Sequence, residues 1–181
     1  CTQPSLKEMT VKALEILSKD EDGFFLMIEA GQIDWAGHAN DIASAMAEMD
    51  DLNSTLEWLE EYVSNNQETL VVVTADHNTG GMSMGLKGGG YRWEPKYLRN
   101  LTASPRTIAN QQMKQGFEPV KISEQLGFEL TAEEIKTLKV AHRKNKKQLF
   151  TELKSVINKR TNTGWTTSGH TGGDVPVFAF G

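Results

Sequence analysis

Cysteine is almost absent. Cys1 is the single one among 181 residues, so no internal disulfide can staple the chain and the redox compartment stays open. Long apolar runs are missing too. No stretch nears the roughly 20 apolar residues of a membrane helix, and the N-terminus shows no charged segment leading into the apolar core of a signal peptide. Basic charge is the minority: 19 Lys and Arg stand against 24 Asp and Glu, a net charge of −5. An acidic surface repels nucleic-acid backbones and anionic membranes, so neither is an expected partner. What remains, 38% hydrophobic and 24% charged, is the composition of an ordinary globular domain with one core.

The polar chemistry sits where apolar runs stop. Phe24, Phe25, Leu26, Met27 and Ile28 form a continuous apolar segment, the pattern of a strand covered on both faces. It leads straight into Glu29, Asp34 and His38, carboxylate and imidazole types that divalent cations take. Asp34 and His38 are four residues apart, which on a helix stacks both side chains on one face. Residues 69–77, TLVVVTADH, repeat the arrangement: a β-branched run ends at Asp76 and His77, where ligands gather beyond the carboxyl ends of strands in open α/β sheets. Neighbouring strand residues point to opposite faces, so Asp76 and His77 can serve one ion only if the chain leaves the pleat, a bend that Asn78-Thr79-Gly80-Gly81 permits. The Gly-rich residues 168–174 add His170, just before an apolar strand over residues 175–180. Taken singly, Asp34 reads equally as a helix cap, and Asp76 or His77 as a satisfied polar group at a strand end.

Elsewhere the pattern is structural. Ser5 and Glu8 form a capping box at a helix start, and Leu6, Met9, Ala13 and Leu17 follow at helical spacing. Ile42, Met46, Met49, Leu52, Leu56, Leu59 and Val63 predict a helix of about 23 residues closed by Asn65-Asn66; core packing explains its methionines better than a soft-metal stripe. Strand, helix, strand in this order predicts a parallel crossover. Lys87-Gly88-Gly89-Gly90 has no Gly-Lys-Ser/Thr and no adjacent helix start, so it is not a phosphate loop. From residue 86 to 160 the chain is polar and helical, with helices expected over residues 105–115 and 118–126, a capping box at Thr131 and Glu134, and a stripe of Leu149, Leu153 and Val156. His142, beside a basic run, reads as part of a solvated face.

E-A-G-x-I-D-x-x-x-H, T-A-D-H-x-T-G-G and G-H-T-G-G-D-V-P, in that order, resemble the metal-binding half of alkaline phosphatases. The Glu five residues before Asp34 favours these over related phosphomutases, and Trp35 resembles a bacterial subset. The likeness runs from Pro4 to Gly181 and is weakest over residues 86–160. It implies an α/β fold, a mainly parallel sheet flanked by helices, here one incomplete domain in which residues 86–160 are a helical insertion at the mouth of the site. It also implies that Asp34, His38 and His170 hold one Zn2+, that Asp76 and His77 contribute to a second, and that Glu29 belongs to a Mg2+ site. Two cations about 3.5–4 Å apart can activate an attacking oxygen and neutralise a leaving one, which suits hydrolysis of phosphate monoesters.

The family's serine nucleophile stands in Asp-Ser-Ala, and this chain has no Asp-Ser pair. The bridging carboxylate and the phosphate-gripping arginine of the family also precede these motifs, and Arg92, Arg99, Arg106, Arg143 and Arg160 stand in no matching context. The expectation is therefore a C-terminal portion, inactive alone, of an exported (periplasmic or extracellular) homodimeric enzyme. The alternatives are a non-catalytic metal-binding or subunit-interaction domain of the same superfamily, and a phosphomutase relative.

Overall fold

The computed structural model describes residues 3–181, so the reading of Cys1 lies outside the described residues. Helix α1 (Leu6–Leu17) starts with the reciprocal cap that Ser-x-x-Glu predicts: Ser5 Oγ accepts from the Glu8 amide and the Glu8 carboxylate accepts from the Ser5 amide. Helices α2 (Gln32–Ala39) and α3 (Ile42–Asn65) follow. They are joined by Asn40, at a left-handed φ of 52°, and by Asp41, whose carboxylate caps α3 through the Ser44 amide. Asn66 ends α3 as predicted.

The strands form one antiparallel ribbon interrupted twice. β1 (Val71–Thr74) pairs with β6 (Val177–Phe180), β2 (Asn78–Thr79) with β5 (His170–Thr171), and β3 (Met82–Ser83) with β4 (Gly164–Trp165). Between the two arms of this ribbon the chain makes a short turn at Pro95–Tyr97 and four helices, α4 (Pro105–Gln115), α5 (Pro119–Leu126), α6 (Ala132–Lys144) and α7 (Lys146–Thr161). Their starts are capped by local chemistry: Ser104 before Pro105, the Thr131/Glu134 box, and Asn145.

The hydrophobic core lies among these helices. Ile108, Ile122, Leu126, Leu138, Leu149 and Leu153 are fully buried there, and Ile42 at the start of α3 joins them. Each such side chain contributes about 1.5–3 kcal/mol, so α7 is held firmly where it meets the site. Arg160 near its end pairs bidentately with Glu134, at 2.7 and 2.9 Å, and covers the Tyr97 and Phe128 rings. Burial alone would raise the Glu134 carboxyl, but hydrogen bonds from Arg160 and Thr131 hold it below the usual range. A depressed folded value stabilises above the unfolded carboxyl pKa, about 4.3, and that stability is lost as pH falls through the folded value. Glu134→Gln keeps the capping box and removes only the charge. It is expected to cost about 1 kcal/mol at neutral pH and to flatten the acid limb of a pH-dependent urea titration; an unchanged acid limb would show that the pair adds nothing.

Four expectations are corrected. Residues 24–29 form no ladder among the described residues; Phe25 is 90% and Met27 79% exposed, because a doubly covered strand needs neighbours that this chain does not place beside it. The mainly parallel sheet is likewise not formed among the described residues, where every ladder is antiparallel: the crossover rule holds for strands of one sheet, and residues 24–29 do not pair with β1. On α1 the buried stripe is rotated, with Thr10 and Leu14 inside and Met9 exposed, whereas on α3 Ile42, Leu59 and Val63 are buried as expected, joined by Thr55, and only Met46 and Met49 are exposed. His142 is half-buried rather than solvated, its Nε2 3.0 Å from the Gln112 carbonyl.

Candidate metal centre

Helix α2 presents the first pair. Asp34 lies in its first turn and His38 in its last, and Asp34 Oδ2 is 3.4 Å from His38 Nε2. Two glycines let this helix approach the ribbon. A Cβ on Gly37 would stand 3.0 Å from Thr79, and one on Gly80, at φ 82°, would stand 2.7 Å from the Trp165 ring and 2.8 Å from the Gly37 carbonyl. The site therefore tolerates no side chain between helix and ribbon.

Asp76 and His77 occupy the break between β1 and β2, where the pleat is interrupted. Their side chains turn to the same side: Asp76 Oδ2 is 3.1 Å from His77 Nε2, and Asp76 Oδ1 accepts from the His77 amide. The bend comes one step earlier than the glycines suggest, since Asn78 and Thr79 are themselves β2. Antiparallel pairing then sets His170 opposite Thr79. His170 Nε2 lies 3.2 Å from His38 Nε2 and 3.9 Å from Asp34 Oδ1, while its ring stacks on His77 at 3.6 Å between centroids. Asp34, His77 and His170 also bring ligand atoms within 4.8 Å of one another.

Not every candidate joins. Glu29 is exposed, its carboxylate turned back over Gly31, and the Asp76 side chain is 85% exposed. Trp35 is exposed.

Thr79 is the residue that motif reading missed. Its hydroxyl donates to Asp34 Oδ1 at 2.5 Å and stands 3.2 Å from His77 Nδ1. A hydroxyl whose one proton goes to the carboxylate accepts from the ring, so His77 carries its proton on Nδ1 and offers Nε2. The Ser168 carbonyl does the same for His38: it lies 2.7 Å from Nδ1, can only accept, and leaves Nε2 unprotonated. Threonine in T-G-G looks like turn chemistry, and only its place across the ribbon from His170 shows the other use.

The donor chemistry fits a divalent cation. Tetrahedral ligands about 2.0–2.1 Å from zinc stand about 3.3 Å apart; His38 Nε2 lies 3.2 Å from His170 Nε2 and 3.4 Å from Asp34 Oδ2, while the other Asp34 oxygen, Oδ1, is 3.9 Å from His170 Nε2. Imidazole and carboxylate groups that converge where strands end could hold a divalent cation.

The comparisons make the assignment narrower. A family model described as "Alkaline phosphatase" matches residues 1–181. Alkaline phosphatase 3 of Bacillus subtilis is 42% identical over 183 residues, covering 98% of this chain and 39% of its own length. Among solved structures, the cold-active alkaline phosphatase of a psychrophilic Shewanella sp. superposes with a TM-score of 0.94 at 46% identity, over 97% of this chain and 44% of that one. The Thermus thermophilus alkaline phosphatase gives a TM-score of 0.77 at 26% identity, over 98% and 42%. The chain belongs to the alkaline phosphatase family, and it spans about two fifths of the length of the relatives it matches.

Proposed function

We propose that this chain is the metal-binding part of a zinc-dependent phosphomonoesterase whose remaining residues supply the nucleophile. The observation that carries the reading is that three separated segments bring Asp34, His77 and His170 ligand atoms within 4.8 Å of one another, with His38 Nε2 3.2 Å from His170 Nε2 and 3.4 Å from Asp34 Oδ2. In the proposed division, Asp34, His38 and His170 hold one zinc, Asp76 and His77 contribute to a second, and Glu29 belongs to a magnesium site completed by residues outside this chain. Bound zinc supplies Lewis-acid stabilisation of phosphoryl oxygens and a lowered pKa for a coordinated oxygen. The chain's own residues orient: Thr79 and the Ser168 carbonyl keep ring protons on Nδ1, and Gly37 and Gly80 hold α2 against the ribbon. Residues 86–160, as a helical insertion, buttress this arrangement through α7. The substrate is a phosphate monoester, with neither nucleic acid nor membrane as partner, and the intact protein is a periplasmic or extracellular homodimer. Among the described residues no helix is long and apolar enough to cross a membrane.

Calorimetric titration of the purified chain with zinc tests the reading. One tight site per chain, a weaker second, and negligible heat with magnesium are expected, since magnesium asks for octahedral oxygen ligands; absence of a tight zinc site would overturn it. In the same titration Thr79→Val, which removes the hydroxyl and keeps the shape, is expected to weaken the tight site about 10- to 100-fold. An affinity equal to wild type would show that Thr79 does not orient the ligands.

A further inference from the structure

The residue immediately after helix α2, Asn40, ties down the loop that supports His38 with a side chain that is not itself a ligand. Asn40, half-buried in the turn between α2 and α3, donates from Nδ2 to the Gly37 carbonyl at 3.1 Å and to the Thr167 carbonyl at 2.8 Å. The next carbonyl along, that of Ser168, is the one 2.7 Å from His38 Nδ1. The same turn is gripped from behind by α7. Asn158 Nδ2 donates to the Asn40 carbonyl at 3.0 Å, and Lys154 Nζ donates to the Ala39 carbonyl. Core burial holds α7 in place, through Leu153 and Ile157. A continuous path of packed and hydrogen-bonded groups thus leads from the helical core through Asn40 to the atom that receives the His38 proton.

A residue at φ 52° after a helix is ordinarily a cap, and glycine or asparagine serves that purpose equally well. The Asn40 amide N–H does close α2 on the Ala36 and Gly37 carbonyls. Capping leaves the second side-chain bond, to a segment 127 residues away, unexplained. We propose that Asn40 is a positioning residue for His38: it fixes the Thr167–Ser168 backbone so that the Ser168 carbonyl keeps the proton on Nδ1 and Nε2 stays unprotonated, its lone pair facing Asp34 and His170. Asn158 acts through Asn40 by holding its peptide. Only the consequence for zinc rests on the function proposed above; the control of the tautomer does not.

The test uses the whole 181-residue chain, stripped of metal and kept at a pH where imidazoles are neutral. Long-range 1H–15N spectra of histidine-labelled protein read which ring nitrogen carries the proton, with His38 assigned from His38→Gln. His142, whose Nε2 faces the Gln112 carbonyl, is the internal control. Asn40→Gly keeps the left-handed cap and removes the amide; Asn40→Asp keeps size and backbone preference and turns an acceptor toward the Thr167 carbonyl. Both are expected to move His38 from a single Nδ1–H form to a mixture while His142 stays unchanged, and to weaken zinc binding about 10- to 100-fold. Asn158→Ala is expected to do the same more weakly. A His38 signal that remains Nδ1–H in Asn40→Gly, which meets no steric strain at this positive φ, would overturn the proposal. A tautomer shift in a chain that binds no zinc would support it and sink the zinc assignment instead.

Discussion

Replacing His170 or His38 by alanine is expected to abolish the tight zinc site, weakening it by at least about 100-fold, more than the loss typical of an outer-shell partner. His77→Ala is expected to cost about tenfold or less. The inequality follows from separations. His38 Nε2 lies 3.2 Å from His170 Nε2 and 3.4 Å from Asp34 Oδ2, close to tetrahedral spacing, and in the proposed division these three residues leave a fourth position open as catalytic zinc requires. His77 instead stacks its ring against His170, with a nearly bare Asp76 as its carboxylate neighbour. In the proposed division its site keeps only two ligands from this chain, too few for tight binding. Titration of the three variants checks the order: equal losses in all three would show that the two sets act as one pool of donors and that the partition is wrong.

Turnover of an aryl phosphate by this chain with added zinc and magnesium is expected not to exceed the rate of the metals in buffer. Catalytic groups that act as a unit fail together, and loss of a nucleophile costs on the order of a million-fold. No serine follows an aspartate here. Three of the five arginines are engaged elsewhere: Arg160 with Glu134, Arg106 over the Phe150 ring, Arg92 beside Glu94. Zinc-dependent turnover that disappears in Asp76→Ala would refute this and require a nucleophile within these residues. Restored turnover on adding the relatives' preceding portion, by contrast, would support the division of labour.

Much of the centre was legible in local pattern. The i, i+4 spacing of Asp34 and His38 needs only a helix to bring the two together, and the capping boxes at Ser5/Glu8 and Thr131/Glu134 mark helix starts through bonds made within four residues. The order of the three motifs was likewise enough to indicate the family that the comparisons show.

Other features belong to no local pattern. Whether the apolar run at residues 24–29 is a buried strand depends on what lies beside it, and hydrophobicity is the same for a covered strand and an exposed one. The direction of the ladders depends on where residues 164–180 return, a long-range pairing that periodicity does not encode. That return sets His170 opposite Thr79, turns a turn-type threonine into the orienter of Asp34 and His77, and carries the Thr167 and Ser168 carbonyls to Asn40 and His38. Sequence alone determined which groups can bind a cation, because donor chemistry belongs to each side chain. The tertiary structure decided that His170 meets His38 and which ring nitrogen His38 offers, because both depend on partners more than ninety residues distant in the chain.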